Sequence, residues 1–202
     1  MIAVDLSERC IEHCKRRYAS DNHIQFQIND GESLAAVPDN SIDFVFSFDS
    51  LVHAEREVLE AYVMQISKKL KPEGAGFIHH SNLGAYQERV ALKGHYVRLP
   101  QRFRRVLTDD VVSALLSINF DAWRARSMTA QLFRSYCEKA SLKCVSQELI
   151  GWGKGKCLID ALSVFARPDS RWAKRDECLR NEEFVKNMHL TSRLASLYCD
   201  HP

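Results

Sequence analysis

The sequence predicts an α/β fold built on a mostly parallel sheet that ends in an antiparallel hairpin. Three observations carry this expectation. Strand-like and helix-like segments alternate over the first 80 residues. The run Ile42 to Phe48 is almost continuously apolar. Two late strand-like segments, Leu142 to Ile150 and Cys157 to Ala166, flank the glycine-rich GWGKGK. Alternation of strand and helix argues for a parallel sheet covered by helices. An unbroken apolar run is how a strand buried on both faces reads.

Each element has a local reason. Ile2-Ala3-Val4 is a short apolar run closed by Asp5. Ser7 then stands as an N-cap with Glu8 behind it, opening a helix that runs to about Tyr18. Ile24 to Ile28 alternates apolar and polar residues, as a strand with one buried face would, and Asn29-Asp30-Gly31 ends it with turn residues. After the turn Pro38-Asp39-Asn40-Ser41 comes the apolar strand. From Glu55 to Leu70, apolar residues at Val58, Leu59, Tyr62, Val63, Ile66 and Leu70 keep helical spacing. Lys71-Pro72-Glu73-Gly74 stops that helix, and Gly76 to His80 is the next strand. The stretch 83–126 is irregular and basic, with VRLPQRFRR at its centre. Met128 to Ala140 reads as a helix capped by Ser127 or Thr129, and the two late strands follow. Residues 1–166 therefore read as one domain, and 167–202 as a polar C-terminal tail, helical around 176–199.

Composition narrows the function classes. Apolar residues make up 46% and charged residues 27%, with a formal net charge of +2. So small a charge gives no reason to expect binding to nucleic acid or to a membrane surface. Seven cysteines stand at 10, 14, 137, 144, 157, 178 and 199, without a C-x-x-C pair. That pattern argues against a zinc site or a disulfide framework and for a reducing, cytoplasmic setting. No secretory signal opens the chain and no apolar run reaches membrane-spanning length. No H-x-x-x-H spacing suggests a metal site.

Four segments, in order and at the right spacing, resemble the class I, Rossmann-like S-adenosylmethionine (SAM)-dependent methyltransferases (type 11/12-like) from their second strand onward. AVDLSE carries the acidic residue that ends a strand, NDGESL an acidic turn, PDNSIDFVFSFDSLVH a strand and its loop, and LKPEGAGFIHHSN the lead into the next strand. The resemblance covers about residues 1–166. It implies SAM as cofactor, with Asp5, Leu6, Asp30, Gly31 and Phe48 around it. A carboxylate at a strand end can accept from both ribose hydroxyls; Asp5 is placed for that. Asp30 would accept from the adenine amino group, with Gly31 allowing close backbone approach. Phe48 would pack near the cofactor, or close its strand as the last buried residue.

Methyl transfer to a hydroxyl needs an aligned acceptor and a base. Histidine suits the second task. His53, His79 and His80 fall where strand ends deliver their loops, the usual ligand side of an open α/β sheet. His53 is the first choice for general base, with Asp49 to orient it or to bind a substrate hydroxyl. Alternation sends His79 and His80 to opposite faces. Arg98, Arg102, Arg104 and Arg105 suit an acidic or phosphorylated acceptor, or form a solvated basic face.

The resemblance also exposes a gap. The family's first strand and its glycine-rich turn, a unit of roughly 30 residues or more, have no counterpart here. GWGKGK joins two late strands and reads as a hairpin loop. The expectation is a chain that is a fragment, a mis-started frame or a degenerate copy, lacking a central strand and binding SAM weakly or not at all. Exposed sheet edges left by that gap would favour oligomers. Three functions compete: O-methylation of a small molecule or sugar hydroxyl, a non-catalytic methyltransferase-like module, and an NAD-dependent enzyme. The last lacks the G-x-G-x-x-G it would need.

Overall fold

The computed structural model describes residues 1–98, 100, 123–152 and 157–198. Arg102, Arg104 and Arg105, residues 153–156 of GWGKGK and Cys199 lie outside these residues. The chain begins β1 (Ile2–Asp5), α1 (Glu8–Arg17), β2 (Gln25–Ile28), β3 (Ile42–Leu51), α2 (Arg56–Lys69), β4 (Leu70–Ser81). This is the β-α-β-β-α-β order expected from the sequence. A 3-10 turn (Leu83–Tyr86) and α3 (Gln87–Arg98) follow. Then come α4 (Ala130–Lys139), β5 (Lys143–Ile150), β6 (Asp160–Ala166), β7 (Glu177–Asn181) and α5 (Phe184–Ala195).

The caps behave as the side chains dictate. The Ser7 hydroxyl accepts from the Cys10 amide at 3.3 Å, and basic Lys15, Arg16 and Arg17 occupy the last turn of α1, where the helix dipole favours them. Thr129, rather than Ser127, caps α4 by accepting from the Leu132 amide at 2.9 Å.

The strands form two sheets. β1 and β2 pair in parallel, Ile2 opposite Gln25 and Asp5 opposite Ile28. The larger sheet has the order β3-β4-β6-β5-β7. In it β3 and β4 are parallel, β6 runs antiparallel to both neighbours, and β5 and β7 are parallel. The mostly parallel sheet with an antiparallel β5–β6 pair is the expected architecture. No strand joins β1 to β3 among the described residues. A groove of about 860 Å³ runs between them, lined by Ile2, Val4, Asp5 and Leu6 on one side and Phe44, Phe46, Ser47 and Ser50 on the other.

Three expectations need correcting. β3 is not buried on both faces: Phe44, Phe46 and Phe48 are 56%, 66% and 43% exposed. It is an edge strand beside the groove, and among the described residues the face carrying these rings is only partly covered, by Phe77 and His79 of β4. β2 likewise keeps no fully buried residue, because its sheet has only two strands. Residues 177–181 are not helical but form β7, which extends the sheet beyond β5; the helix begins only at Phe184.

The core lies on the other side. Leu59, Tyr62, Val63 and Ile66 of α2 pack with Phe133, Tyr136 and Cys137 of α4, over Ile78 and Phe165 of the sheet. Fully burying such side chains stabilises by about 1.5–3 kcal/mol each. This layer also fixes the small sheet: the Asn29 amide donates to the Tyr62 hydroxyl at 2.8 Å, and Gln65 accepts from the Leu34 amide at 2.7 Å.

Candidate active site

The ends of β3, β4 and β6 converge on a polar cluster built around a bulge. Ser47 pairs with Ile78, and the next pair is Leu51 with His80. Four steps along β3 therefore match two along β4. The surplus is taken up at Phe48–Ser50, where Asp49 is left-handed at φ 57°. Aspartate tolerates that region better than most residues. Such bulges re-aim side chains beside functional sites. Here the Ser47 and Ser50 hydroxyls meet at 2.7 Å on the groove wall.

His79 sits behind the bulge, fully buried. Its Nδ1 accepts from the Asp49 amide at 3.2 Å, so Nε2 carries the proton and donates to Asp160 at 3.0 Å. Both ring nitrogens are thereby engaged. Asp160 is also fully buried. It receives Arg124 Nε at 3.0 Å and Nη2 at 2.8 Å, and Trp152 Nε1 at 2.5 Å. Burial pushes its carboxyl up, but the hydrogen bonds from His79 and Arg124, with the Arg124 charge, outweigh this and hold it below the usual range. Arg124 also lies 3.9 Å from Asp49.

His80 faces the core. Its ring stacks on Phe133 at 4.4 Å, Nδ1–H donates to the Ser81 carbonyl, and Nε2 accepts from the Ser163 hydroxyl. Burial lowers its pKa to about 4, so it stays neutral. A base enclosed in this way reaches no substrate, which corrects the expectation of a catalytic His80.

His53 is exposed at the start of the turn into α2. Its Nδ1–H donates to the Trp123 carbonyl. The segment 123–127 is stitched onto this end of the sheet. The Ala125 amide donates to Val52 O at 2.9 Å, and the Ser81 hydroxyl donates to Ala125 O at 2.7 Å. Glu55 accepts from the amides of Arg126 and Ser127 and from the Ser127 hydroxyl. Burial raises the Glu55 carboxyl, yet these hydrogen bonds bring it below its ordinary value.

Asp5 and Asp30 stand at the ends of the other sheet. Asp5 Oδ1 accepts from the Ser7 amide at 2.7 Å. Asp30 Oδ1 accepts from the Glu32 and Ser33 amides at 2.9 and 2.7 Å, which lowers its pKa. Each keeps its second oxygen uncommitted among the described residues. Gly31 has φ 90°, a left-handed backbone that favours glycine, and a Cβ placed there would come within 4.0 Å of Leu6. Phe48 does not line the groove; its ring packs on His79 at 4.8 Å. No glycine-rich turn lines the groove among the described residues. Nor, among those residues, is any group of three or more His, Cys, Asp and Glu placed to hold a metal.

The methyltransferase domain family matches residues 1–74. That match spans less than half of the 202 residues. Over those residues the chain is similar to methyltransferase domains. A search of curated proteins finds no match. Among solved structures, the chain is similar to the PH0226 protein from Pyrococcus horikoshii OT3. The TM-score is 0.53 at 19% identity, covering 83% of this chain and 71% of that one. It is also similar to an S-adenosylmethionine-dependent methyltransferase from Clostridium acetobutylicum (0.53, 12% identity, 82% and 74%). A third is PKMT2 from Rickettsia typhi in complex with AdoHcy (0.55, 12%, 84%), of which this chain spans only 45%. At these identities the likeness is one of fold. The match over residues 1–74 makes S-adenosylmethionine the cofactor to weigh against this groove. Uncommitted carboxylate oxygens at Asp5 and Asp30 suit a ligand that brings hydroxyl and amino donors. The backbone cradle of a glycine-rich turn is what the described groove lacks.

Sequence reading missed Arg124, Trp152 and Asp160. The signal was present for one of them: Asp160 interrupts the apolar run Cys157 to Ala166, and a charge in a buried strand requires a partner.

Proposed function

We propose that the chain is a methyltransferase module that binds SAM across the ends of β1 and β3 and methylates a hydroxyl of a small molecule or sugar. When bound, the cofactor supplies a methyl group on a sulfonium. Asp5 would accept from the ribose hydroxyls and Asp30 from the adenine amino group, with Leu6 and Gly31 beside them. The observation that carries the oxygen chemistry is the His53–Trp123 contact. Because Nδ1–H donates to a carbonyl, the lone pair rests on Nε2, at an exposed position two residues past the groove-lining Leu51. A histidine oriented this way can take the proton of an acceptor hydroxyl. Asp49, exposed on the bulge, is the group to bind that hydroxyl's neighbours.

The test is calorimetry of SAM and S-adenosylhomocysteine, with turnover on a panel of hydroxylated acceptors. Micromolar binding that survives His53→Gln, with turnover lost about 100-fold, supports the reading. That no glycine-rich turn stands among the described residues lining the groove is the observation that favours a second reading, a non-catalytic module. Absence of binding to either compound would select it.

A further inference from the structure

We propose that His79 is a positioning residue: it fixes the left-handed turn at Asp49 that sets the Ser47–Ser50 wall of the groove and the Asp49 carboxylate. The consequence for the groove rests on its reading as the cofactor site; the coupling of His79 to Asp49 does not.

The register of β3 against β4 creates the need. The two surplus residues of β3 leave the Asp49 amide outside the β3–β4 ladder. Left without a ladder partner, the amide of this half-buried bond finds its acceptor in His79 Nδ1 at 3.2 Å. Nδ1 can accept only in the tautomer that protonates Nε2. Asp160 enforces that tautomer by taking the Nε2 proton at 3.0 Å. Asp160 is in turn held by Arg124 and Trp152. Phe48, the first residue of the bulge, closes over the imidazole at 4.8 Å. The chain of constraint thus runs from Arg124 through Asp160 and His79 to the backbone of Asp49. Beyond it Ser50 bonds Ser47 at 2.7 Å on the groove wall. Both ring nitrogens are spent on position, so His79 holds the site rather than exchanging protons with a substrate.

The experiment is nitrogen NMR of the His79 ring in the ligand-free full chain, together with hydrogen exchange of the Asp49 amide in wild type, His79→Asn and His79→Leu. The expected spectrum shows a protonated Nε2 and an unprotonated Nδ1. The asparagine of His79→Asn keeps an acceptor near the Nδ1 position, so the Asp49 amide should stay protected. Leucine removes the acceptor, and exchange should quicken by about tenfold or more, the factor that follows from losing roughly one net hydrogen bond. A protonated Nδ1 in wild type overturns the proposal whether or not either variant folds. So does an Asp49 amide as protected in folded His79→Leu as in wild type. These readouts need no cofactor. Failure of SAM binding with the expected exchange pattern therefore refutes the proposed function alone.

Discussion

Asp160 and His79 are joined at 3.0 Å with no solvent access to either side chain, and Arg124 spans the carboxylate, donating from Nη2 to the shared Oδ2 at 2.8 Å and from Nε to Oδ1 at 3.0 Å. Removing one member of a buried ion pair leaves the other uncompensated, which costs about 3–5 kcal/mol. Asp160→Ala is therefore expected to lower unfolding free energy by that amount in urea titrations. Asp160→Asn keeps the shape and one acceptor and should cost less. Near-wild-type stability of Asp160→Ala would mean that solvent reaches Arg124 and His79 after all.

His80 makes stability fall with acid in its own window. The unfolded chain binds a proton at this position near pH 6.5, whereas the folded chain holds it off until about pH 4. Lowering the pH between these values favours the unfolded state, which then carries more protons. The full effect is roughly 3 kcal/mol. Asp160 acts in the same direction but lower, its stabilising charge being lost only as pH falls below the ordinary carboxylate range. Thermal unfolding of wild type and His80→Gln across roughly pH 7 to 4.5, the span in which the two states differ in bound protons, should show a steep decline in the first and a shallower one in the second. Parallel curves would remove His80 as the cause.

The sequence carried the first half of the fold because its signals are local. Ser7 caps α1 and the helical spacing from Val58 to Ile66 buries one face of α2, as expected. Asp5 and Asp30 fall at strand ends for the same reason. The bulge at Asp49 was not legible, since it exists only in the register of β3 against β4. The convergence of Arg124, Trp152 and Asp160 on His79 joins residues as far as 81 positions apart, and no spacing rule reports it. The run Phe44 to Phe48 misled because apolar strand composition says nothing about whether a neighbour is present to cover it. β7 was missed because ECLRN has neither alternation nor an apolar run.

Gly76 is required by the core rather than by its backbone. A Cβ added there would overlap the Phe165 ring, which is itself fully buried. Overpacking of this kind usually costs about 1–3 kcal/mol. Gly76→Ala should fall in or above that range by chemical denaturation. Pairing it with Phe165→Leu should recover part of the loss, a coupling that independent sites would not show.

Phe44 and Phe46 project from an unpaired strand edge into the groove. An exposed apolar edge is a template for association, and a charge at the same position opposes it. Phe46→Lys is expected to raise the monomer fraction in analytical ultracentrifugation. The substitution gives up the stacking of Phe46 on Phe77, whose centroids lie 5.5 Å apart. That loss amounts to about 0.5–1.5 kcal/mol beyond the area term. The fold should survive it, because Phe77 keeps its place in the β4–β6 ladder opposite Val164. If wild type sediments as a monomer at the concentrations where Phe46→Lys does, the edge is not a surface through which copies of the chain meet. If only the variant is monomeric, Phe46 lies at the contact, and Phe44→Lys, two residues along the same face, should act in the same direction.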